Sequence, residues 1–173
     1  QIGKKLDFKA YGIELEFTDG ALRRLAASAS KEKTGARALL SVFERTLIRF
    51  EKTMPSLETR NLLVDETIVE NPSTVLEELM VNDNIKGFQR DFLVNHGIYL
   101  DFSHEALELI QSKAKAEKKS IRRVCEDLFH DYPYGIRLMK KEHFTIEKDA
   151  VQDPAGYLDR FIRENYIKQQ ESN

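Results

Sequence analysis

The sequence contains an internal repeat, which restricts the chain to folds that can be built from two similar units. When the chain is shifted against itself by 85 positions, ten of the 33 residues from 12 to 44 pair with an identical residue, including Arg37 with Arg122. With an offset of 82 the match resumes in the later part of each copy. A repeat at a fixed period usually marks tandem structural units. We therefore predict two modules, over residues 1–82 and 83–173.

Each module is predicted to have an α+β fold with the element order β-α-α-β-α. Apolar residues alternate with acidic or polar ones at positions 13–17 and again at 98–102, which indicates a half-buried strand in each copy. Thr18 and Ser103 follow these strands and are typical N-cap residues of a helix. The two modules are expected to join near residues 82–84.

The helices are located by apolar residues spaced three or four apart, the period of a buried helical face. The predicted buried positions of the first helices are Leu22, Leu25, Ala29 and Leu107, Ile110, Ala114. Those of the second helices are Leu39, Leu40, Phe43, Leu47, Phe50 and Val124, Cys125, Leu128, Phe129, Tyr132. These helices are expected to end by Pro55 and Pro133. The remaining elements are strands over 62–64 and 144–146, and closing helices that start after Pro72 and Pro154.

Composition excludes several classes of protein. With 173 residues, of which 41% are hydrophobic, the chain can bury one ordinary core or two small ones. The 27 basic and 29 acidic residues give a net charge of −2, so bulk charge favours neither nucleic acid nor an anionic membrane as a partner. No apolar run approaches the roughly 20 residues of a membrane helix, and the polar start at Gln1 is unlike a signal peptide, so we predict a cytoplasmic protein. The abrupt start suggests a domain cut from a longer chain.

The residues that usually carry catalysis or bind metals form no recognisable site. The four histidines do not fall at helical ligand spacing with one another or with Cys125, so no metal site is predicted. Cys125 lies in an apolar helical stripe and is expected to be a buried structural thiol. No plausible catalytic triad is present, and we predict no catalytic residue.

Arg37 is the strongest candidate for a binding residue. It stands just after Gly35, which we predict ends one helix in a left-handed turn and lets the next begin within a residue or two. A cation in the first turn of a helix is mildly disfavoured by the helix dipole, so local stability does not explain it. The guanidinium and the free N–H groups at the helix start would together suit a phosphate. The alternative is a surface arginine paired with a nearby carboxylate such as Glu32.

The residues around Arg37 resemble a known family. The segments that carry the resemblance are IELEFTD at 13–19, Ala21-Leu22, KTGAR at 33–37, Leu39 and Met54-Pro55-Ser56. Over roughly residues 8–80 the chain resembles the C-terminal small domain of AAA+ protein unfoldases, nearest to the ClpX family. The resemblance implies that the Gly35-Ala36-Arg37 segment is a sensor-2 motif, in which the arginine reaches nucleotide phosphates held by the large domain.

The same resemblance implies a lid over the nucleotide that docks against the next subunit of a hexameric ring. The implied cofactor is ATP or ADP with Mg²⁺ in the full-length protein, with none bound to this fragment. The implied partners are the AAA+ large domains of the same and neighbouring subunits, protein substrates and a Clp-type peptidase. The chain has no phosphate-binding loop, since its only Gly-Lys pair, Gly3-Lys4, lacks the rest of that motif, so it is not expected to hydrolyse ATP alone.

The second copy departs from the family pattern. Ser120 and Ile121 replace Gly35 and Ala36, so Arg122 keeps its position but loses the glycine turn, and we predict a structural or interaction role for it. The basic residues of 113–123 are expected to form a solvated helix face, with a nucleic-acid or acidic-partner patch as the alternative. A non-catalytic adaptor derived from an AAA+ small domain is the other function that the sequence leaves open.

Overall fold

The computed structural model describes residues 6–172, which divide into two compact units on either side of the Asp83–Asn84 bond. The first unit contains, in order, β1 (Glu14–Phe17), α1 (Asp19–Ser30), α2 (Ala36–Thr53), β2 (Asn61–Val64), α3 (Glu66–Glu70) and the first part of α4 (Pro72–His96). Short 3-10 turns precede β1 at Phe8–Tyr11 and follow α2 at Met54–Ser56.

The core of the first unit lies against a two-stranded parallel sheet. Leu15 of β1 is paired with Leu62 of β2, and Phe17 with Val64. Thr18 ends β1 and caps α1, because its Oγ1 accepts a hydrogen bond from the Ala21 N–H at 3.1 Å. The buried cluster comprises Phe8, Ile13, Ala21, Leu47, Phe50, Met54, Leu62, Val64, Ile68 and Leu76.

The second unit, taken by itself, also has a two-stranded parallel sheet. After the last part of α4 it contains β3 (Tyr99–Phe102), α5 (His104–Glu117), α6 (Ile121–Phe129), α7 (Tyr132–Leu138), β4 (His143–Ile146), α8 (Lys148–Gln152) and α9 (Pro154–Glu171). Leu100 of β3 is paired with Phe144 of β4. Ser103 caps α5 through the Ala106 N–H at 3.2 Å, as Thr18 caps α1. The largest fully buried side chains here are Ile98, Leu100, Ile110, Phe129, Tyr132, Ile136 and Ile146.

Most of the predicted elements are confirmed, and the differences have local causes. Both strands of each unit, the two N-caps and the helix starts at Pro72 and Pro154 are as predicted. The short helices α3, α7 and α8 were not predicted. Pro133 does not simply end a helix, because it lies in the first turn of α7, where a missing N–H costs nothing. Residues 82–84, the expected joint, lie within α4.

Three leucines that were predicted to be buried are exposed instead. Leu22, Leu39 and Leu40 are 50%, 48% and 59% exposed. In α2 the core side is formed by Ala38, Val42, Leu47 and Phe50. The prediction for these three leucines was therefore wrong. In α2 the small side chain of Ala38 takes the inward position beside Leu39 and Leu40. In α1 the inward positions are those of Ala21 and Leu25. The buried thiol of Cys125 is confirmed.

Candidate functional site

Arg37 is the second residue of α2, and its side chain is exposed. Within residues 6–172 it makes no hydrogen bond or ion pair. The alternative pairing with Glu32 does not occur, since that carboxylate forms an ion pair with Arg45, about two helical turns after Arg37 in α2. The guanidinium of Arg37 is therefore open to a ligand or to another domain.

Gly35 begins α2 and does not end α1, which corrects the predicted role of this glycine. Helix α1 stops at Ser30, and Lys31 at its C-cap has ordinary right-handed geometry. Gly35 is the N-cap of α2 with φ 65° and ψ −140°, a conformation that residues with a side chain rarely adopt. Ala36 follows as the first helical residue. Because glycine has no side chain, α2 has no side-chain cap, and only the Gly35 carbonyl accepts a hydrogen bond there, from the Ala38 N–H at 3.0 Å.

The matching position of the second unit has nearly the mirror-image backbone. Ser120 has φ −66° and ψ 153°, an extended conformation, and its Oγ accepts a hydrogen bond from the Arg123 N–H at 3.1 Å. The preceding helix α5 ends differently too, since Lys118 takes the left-handed conformation with φ 53°. The chain thus enters α2 and α6 by opposite turns, although both helices have an arginine as their second residue.

Arg122 is held by carboxylates of its own unit, in contrast to Arg37. It forms an ion pair with Asp91 of α4, and its Nε lies 3.7 Å from Oε1 of Glu126. Its backbone N–H donates to Oδ1 of Asn84 at 3.3 Å. These contacts agree with the structural or interaction role predicted for Arg122. Sequence analysis does not identify Asp91 as the partner of Arg122, because no local pattern marks it.

The basic stretch from 113 to 123 is largely matched by acidic neighbours. Lys119 contacts both Glu117, at 3.5 Å, and Asp127, at 3.0 Å. These contacts raise the pKa of Lys119, chiefly through its hydrogen bond to Asp127, and the same bond lowers the pKa of Asp127. Lys113 pairs with Glu117 at 3.0 Å. Such pairing describes a solvated helix face better than a surface for nucleic acid.

Other kinds of site find no support in the part of the chain that the structure describes. There, no three His, Cys, Asp or Glu side chains are grouped so that they could hold a metal ion. The Cys125 thiol is fully buried, and burial together with the nearby Glu126 raises its pKa to about 12, which suppresses the reactive thiolate. Among the same residues, no helix has both the length and the apolar character needed to cross a bilayer.

Comparison with known proteins finds similarity to Clp-type ATPases over part of the chain. Residues 1–49 match the family described as the C-terminal, D2-small domain of ClpB protein. The chain is 32% identical over 84 residues to the mitochondrial ATP-dependent clpX-like chaperone of Saccharomyces cerevisiae. It is 39% identical over 69 residues to the ATP-dependent Clp protease ATP-binding subunit ClpX 3 of Methylococcus capsulatus.

These matches cover a limited part of each protein. The two alignments include 49% and 39% of this chain but only 16% of each relative. No solved structure matches the chain. The family match begins before β1 and extends into α2, so it includes both Gly35 and Arg37. The first unit of the chain is therefore similar to the C-terminal small domains of Clp-type AAA+ ATPases.

Proposed function

We propose that the first unit serves as the nucleotide-sensing lid of a ClpX-like protein unfoldase, with Arg37 as the residue that contacts the nucleotide phosphates. The observation that carries this proposal is the exposed guanidinium of Arg37, which has no partner among residues 6–172, at the start of α2. An arginine in that position is electrostatically mismatched with the helix dipole, and a bound phosphate would remove the mismatch.

The residues present are suited to an anionic ligand. The Arg37 guanidinium offers a planar set of donors for phosphate oxygens, and the uncapped N–H groups that follow Gly35 and include Ala36 offer further donors. ATP with Mg²⁺, held by the large domain of the full-length protein, would supply the phosphates and the free energy of hydrolysis. This chain would contribute binding and orientation only.

A lid can respond to nucleotide only if it binds two nucleotide states with different strength. Arg37 supplies such a difference, because a triphosphate presents more negative charge to the guanidinium than a diphosphate. The position of the small domain would then depend on which nucleotide is bound, and a change in that position would move the adjacent subunits of the ring.

The exposed Leu40 of α2 supports a docking role for the side of the helix that carries Arg37. Leu40 follows Arg37 by three positions, so the two side chains lie on one face of α2. An arginine next to exposed apolar side chains is typical of protein interfaces. We propose that this face meets an AAA+ large domain of the same or the neighbouring subunit.

The wider partners follow from the relatives and are part of the proposal. One relative is named as the ATP-binding subunit of a Clp protease, and we propose that protein substrates and a Clp-type peptidase are partners here also. The yeast relative is named as mitochondrial. For this chain we retain the cytoplasm as the proposed location.

We further propose that the second unit arose by duplication of the first. In each unit a strand pairs in parallel with a second strand, with two or three helices between them and two after. Two shared features support the proposal. Thr18 and Ser103 are the N-caps of the first helix after the first strand in each unit, and an arginine is the second residue of both α2 and α6.

The sensing role is tested by Arg37→Ala in the full-length protein, with Arg23→Ala on the exposed side of α1 as the control. Loss of a surface charge should leave the fold intact, as judged by circular dichroism and thermal unfolding. We expect ATP-dependent unfolding of a tagged substrate to fall more than ATP hydrolysis in Arg37→Ala, while Arg23→Ala behaves like the parent. Unchanged turnover, nucleotide affinity and unfolding in Arg37→Ala would refute the assignment.

A non-catalytic adaptor is the second candidate, and the pairing of Arg122 with Asp91 favours it for the second unit. The gene upstream of Gln1 discriminates between the two functions. A phosphate-binding loop followed by an acidic metal-binding strand supports the ATPase, and the lack of both supports the adaptor. A nucleic-acid role for residues 113–123 would instead require affinity that falls steeply between two salt concentrations in filter binding.

A further inference from the structure

A cavity of about 270 Å³ opens in the second unit between the end of α4, α6 and α7. Three aromatic side chains form its apolar wall, and Phe88, Phe92 and Phe129 are almost fully buried. The Phe88 ring centroid lies 5.7 Å from that of Phe92 and 6.4 Å from that of Phe129. This wall provides ring surfaces without hydrogen-bonding groups, and the volume is near the lower end for ligand sites. The cavity is therefore suited to one large apolar side chain.

The mouth of this cavity carries an excess of negative charge. Its charged lining consists of two carboxylates, Asp91 and Glu126, and the single guanidinium of Arg122. All three side chains are between 34% and 46% exposed, so they remain accessible to a ligand. Arg123 also approaches Glu126, at 3.6 Å, but it does not line the cavity. Each carboxylate has about four acceptor positions, and the ion pairs leave some of them available.

His96 lines the cavity, and its surroundings favour the uncharged imidazole. Burial, and then the positive charge of Arg137, lower the pKa of His96. The carboxylates therefore decide which sign of charge the cavity prefers.

We propose that this cavity binds an apolar side chain that carries or directly adjoins a positive charge, supplied by a segment of another protein. The apolar part would lie against the phenylalanine wall, and the cation would contact Asp91 and Glu126. Arg122 already has both carboxylates as partners, whereas Arg37 at the matching position has none among the described residues. This inference does not depend on the nucleotide role of the first unit.

The charge preference can be tested with three small probes of similar size. Phenethylammonium is a cationic aromatic, phenethyl alcohol is a neutral analogue, and phenyl phosphate is an anionic one. Each is titrated at pH 7.5 into the ¹⁵N-labelled 173-residue chain, and the amide shifts of the residues around the cavity are followed. We expect saturable shifts with phenethylammonium at a dissociation constant on the order of millimolar, as suits one buried group. Phenethyl alcohol should bind at least about threefold more weakly, and phenyl phosphate should not shift these amides.

A pair of variants separates the cavity charge from the net charge of the chain. Glu126→Gln removes one negative charge from the mouth, and Asp159→Asn removes one from the exposed side of α9. Glu126→Gln should abolish the preference for phenethylammonium over phenethyl alcohol, and Asp159→Asn should keep it. The proposal is overturned if no probe gives saturable shifts around the cavity, if phenyl phosphate binds as well as phenethylammonium, or if the two variants behave alike.

Discussion

Thr59 donates two hydrogen bonds to Oδ1 of Asp83, one from its N–H at 2.8 Å and one from its Oγ1 hydroxyl at 2.7 Å. The Glu58 N–H also donates to this carboxylate at 3.1 Å. Asp83 belongs to α4, and residues 58 and 59 form the approach to β2, so the contact fixes where the second strand begins. It lies entirely within the first unit.

Asp83→Ala should destabilise the chain by about 1–3 kcal/mol, because the N–H groups of the loop lose a charged acceptor. Urea unfolding followed by circular dichroism measures the free energy of unfolding. Asp159→Ala, which removes an exposed carboxylate 3.6 Å from Arg163, is the control and should change stability by less than about 0.5 kcal/mol. Equal effects of the two substitutions would show that the Asp83 contacts do not stabilise the loop.

The N-caps of α2 and α6, Gly35 and Ser120, have φ angles of opposite sign, and exchanging the two residue types tests this difference. Gly35→Ser places a side chain at φ 65°, and we expect a cost of about 1–3 kcal/mol from backbone strain alone, since a Cβ there would meet no other atom within 4 Å. Ser120→Gly loses only a cap at a position with ordinary φ and should cost a few tenths, roughly 0.5 kcal/mol at most. Urea unfolding of both variants provides the comparison. A Gly35→Ser protein as stable as the parent would contradict the strained turn.

The exposed leucines of α2 give a third prediction. Leu40→Ser should change the free energy of unfolding by less than about 0.5 kcal/mol, since the side chain already lies in solvent. Leu47→Ala in the same helix should cost about 2–5 kcal/mol, because it leaves a cavity in the core of the first unit. Thermal and urea unfolding distinguish the two outcomes. If Leu40→Ser proves as costly as Leu47→Ala, the orientation of α2 is wrong.

Alkaline pH should weaken the fold through Cys125. Burial and then Glu126 raise the pKa of this thiol to about 12, so the folded chain retains a proton that the unfolded chain releases above its ordinary pKa near 9. Between these two values the free energy of unfolding should fall by up to about 1.4 kcal/mol per pH unit. Burial also raises the pKa of Tyr132, which adds to the loss above pH 10. Below pH 9 the thiol is protonated in both the folded and the unfolded chain, so its contribution to the free energy of unfolding is fully present.

Urea unfolding between pH 8 and 10.5 measures this slope, with Cys125→Ala as the matched variant. The variant is less stable at every pH because of its cavity, but its stability should depend less steeply on pH above 9. Parallel curves for the parent and Cys125→Ala would rule out the thiol as the titrating group.

The strands, N-caps and proline helix starts were predictable because each depends on neighbouring residues. Alternation marks β1 and β3, and a hydroxyl side chain at Thr18 or Ser103 marks the following helix. The inward face of α2 was not predictable from spacing alone, because Leu39 and Leu40 fit a helical stripe as well as Ala38 and Val42 do. Packing against α1 decides between them, and that information is not local.

The candidate site was predictable only in part. Glycine at position 35 indicates a residue with positive φ, which can occur either at the end of a helix or at the start of one. In the structure Gly35 lies at the start of α2. The partner of Arg122 could not be inferred, because Asp91 lies 31 positions earlier on a helix that continues past the expected joint. Long-range pairs of this kind depend on the fold as a whole.

The most direct test of the central claim compares the affinity of the full-length protein for a non-hydrolysable ATP analogue and for ADP, in the parent and in Arg37→Ala, by calorimetry. A charge-assisted contact to the terminal phosphate contributes about 1.5–3 kcal/mol, so Arg37→Ala should weaken the ATP analogue by roughly tenfold or more. Binding of ADP should weaken much less. Equal losses for both nucleotides, or no loss for either, would contradict a phosphate-sensing role for Arg37.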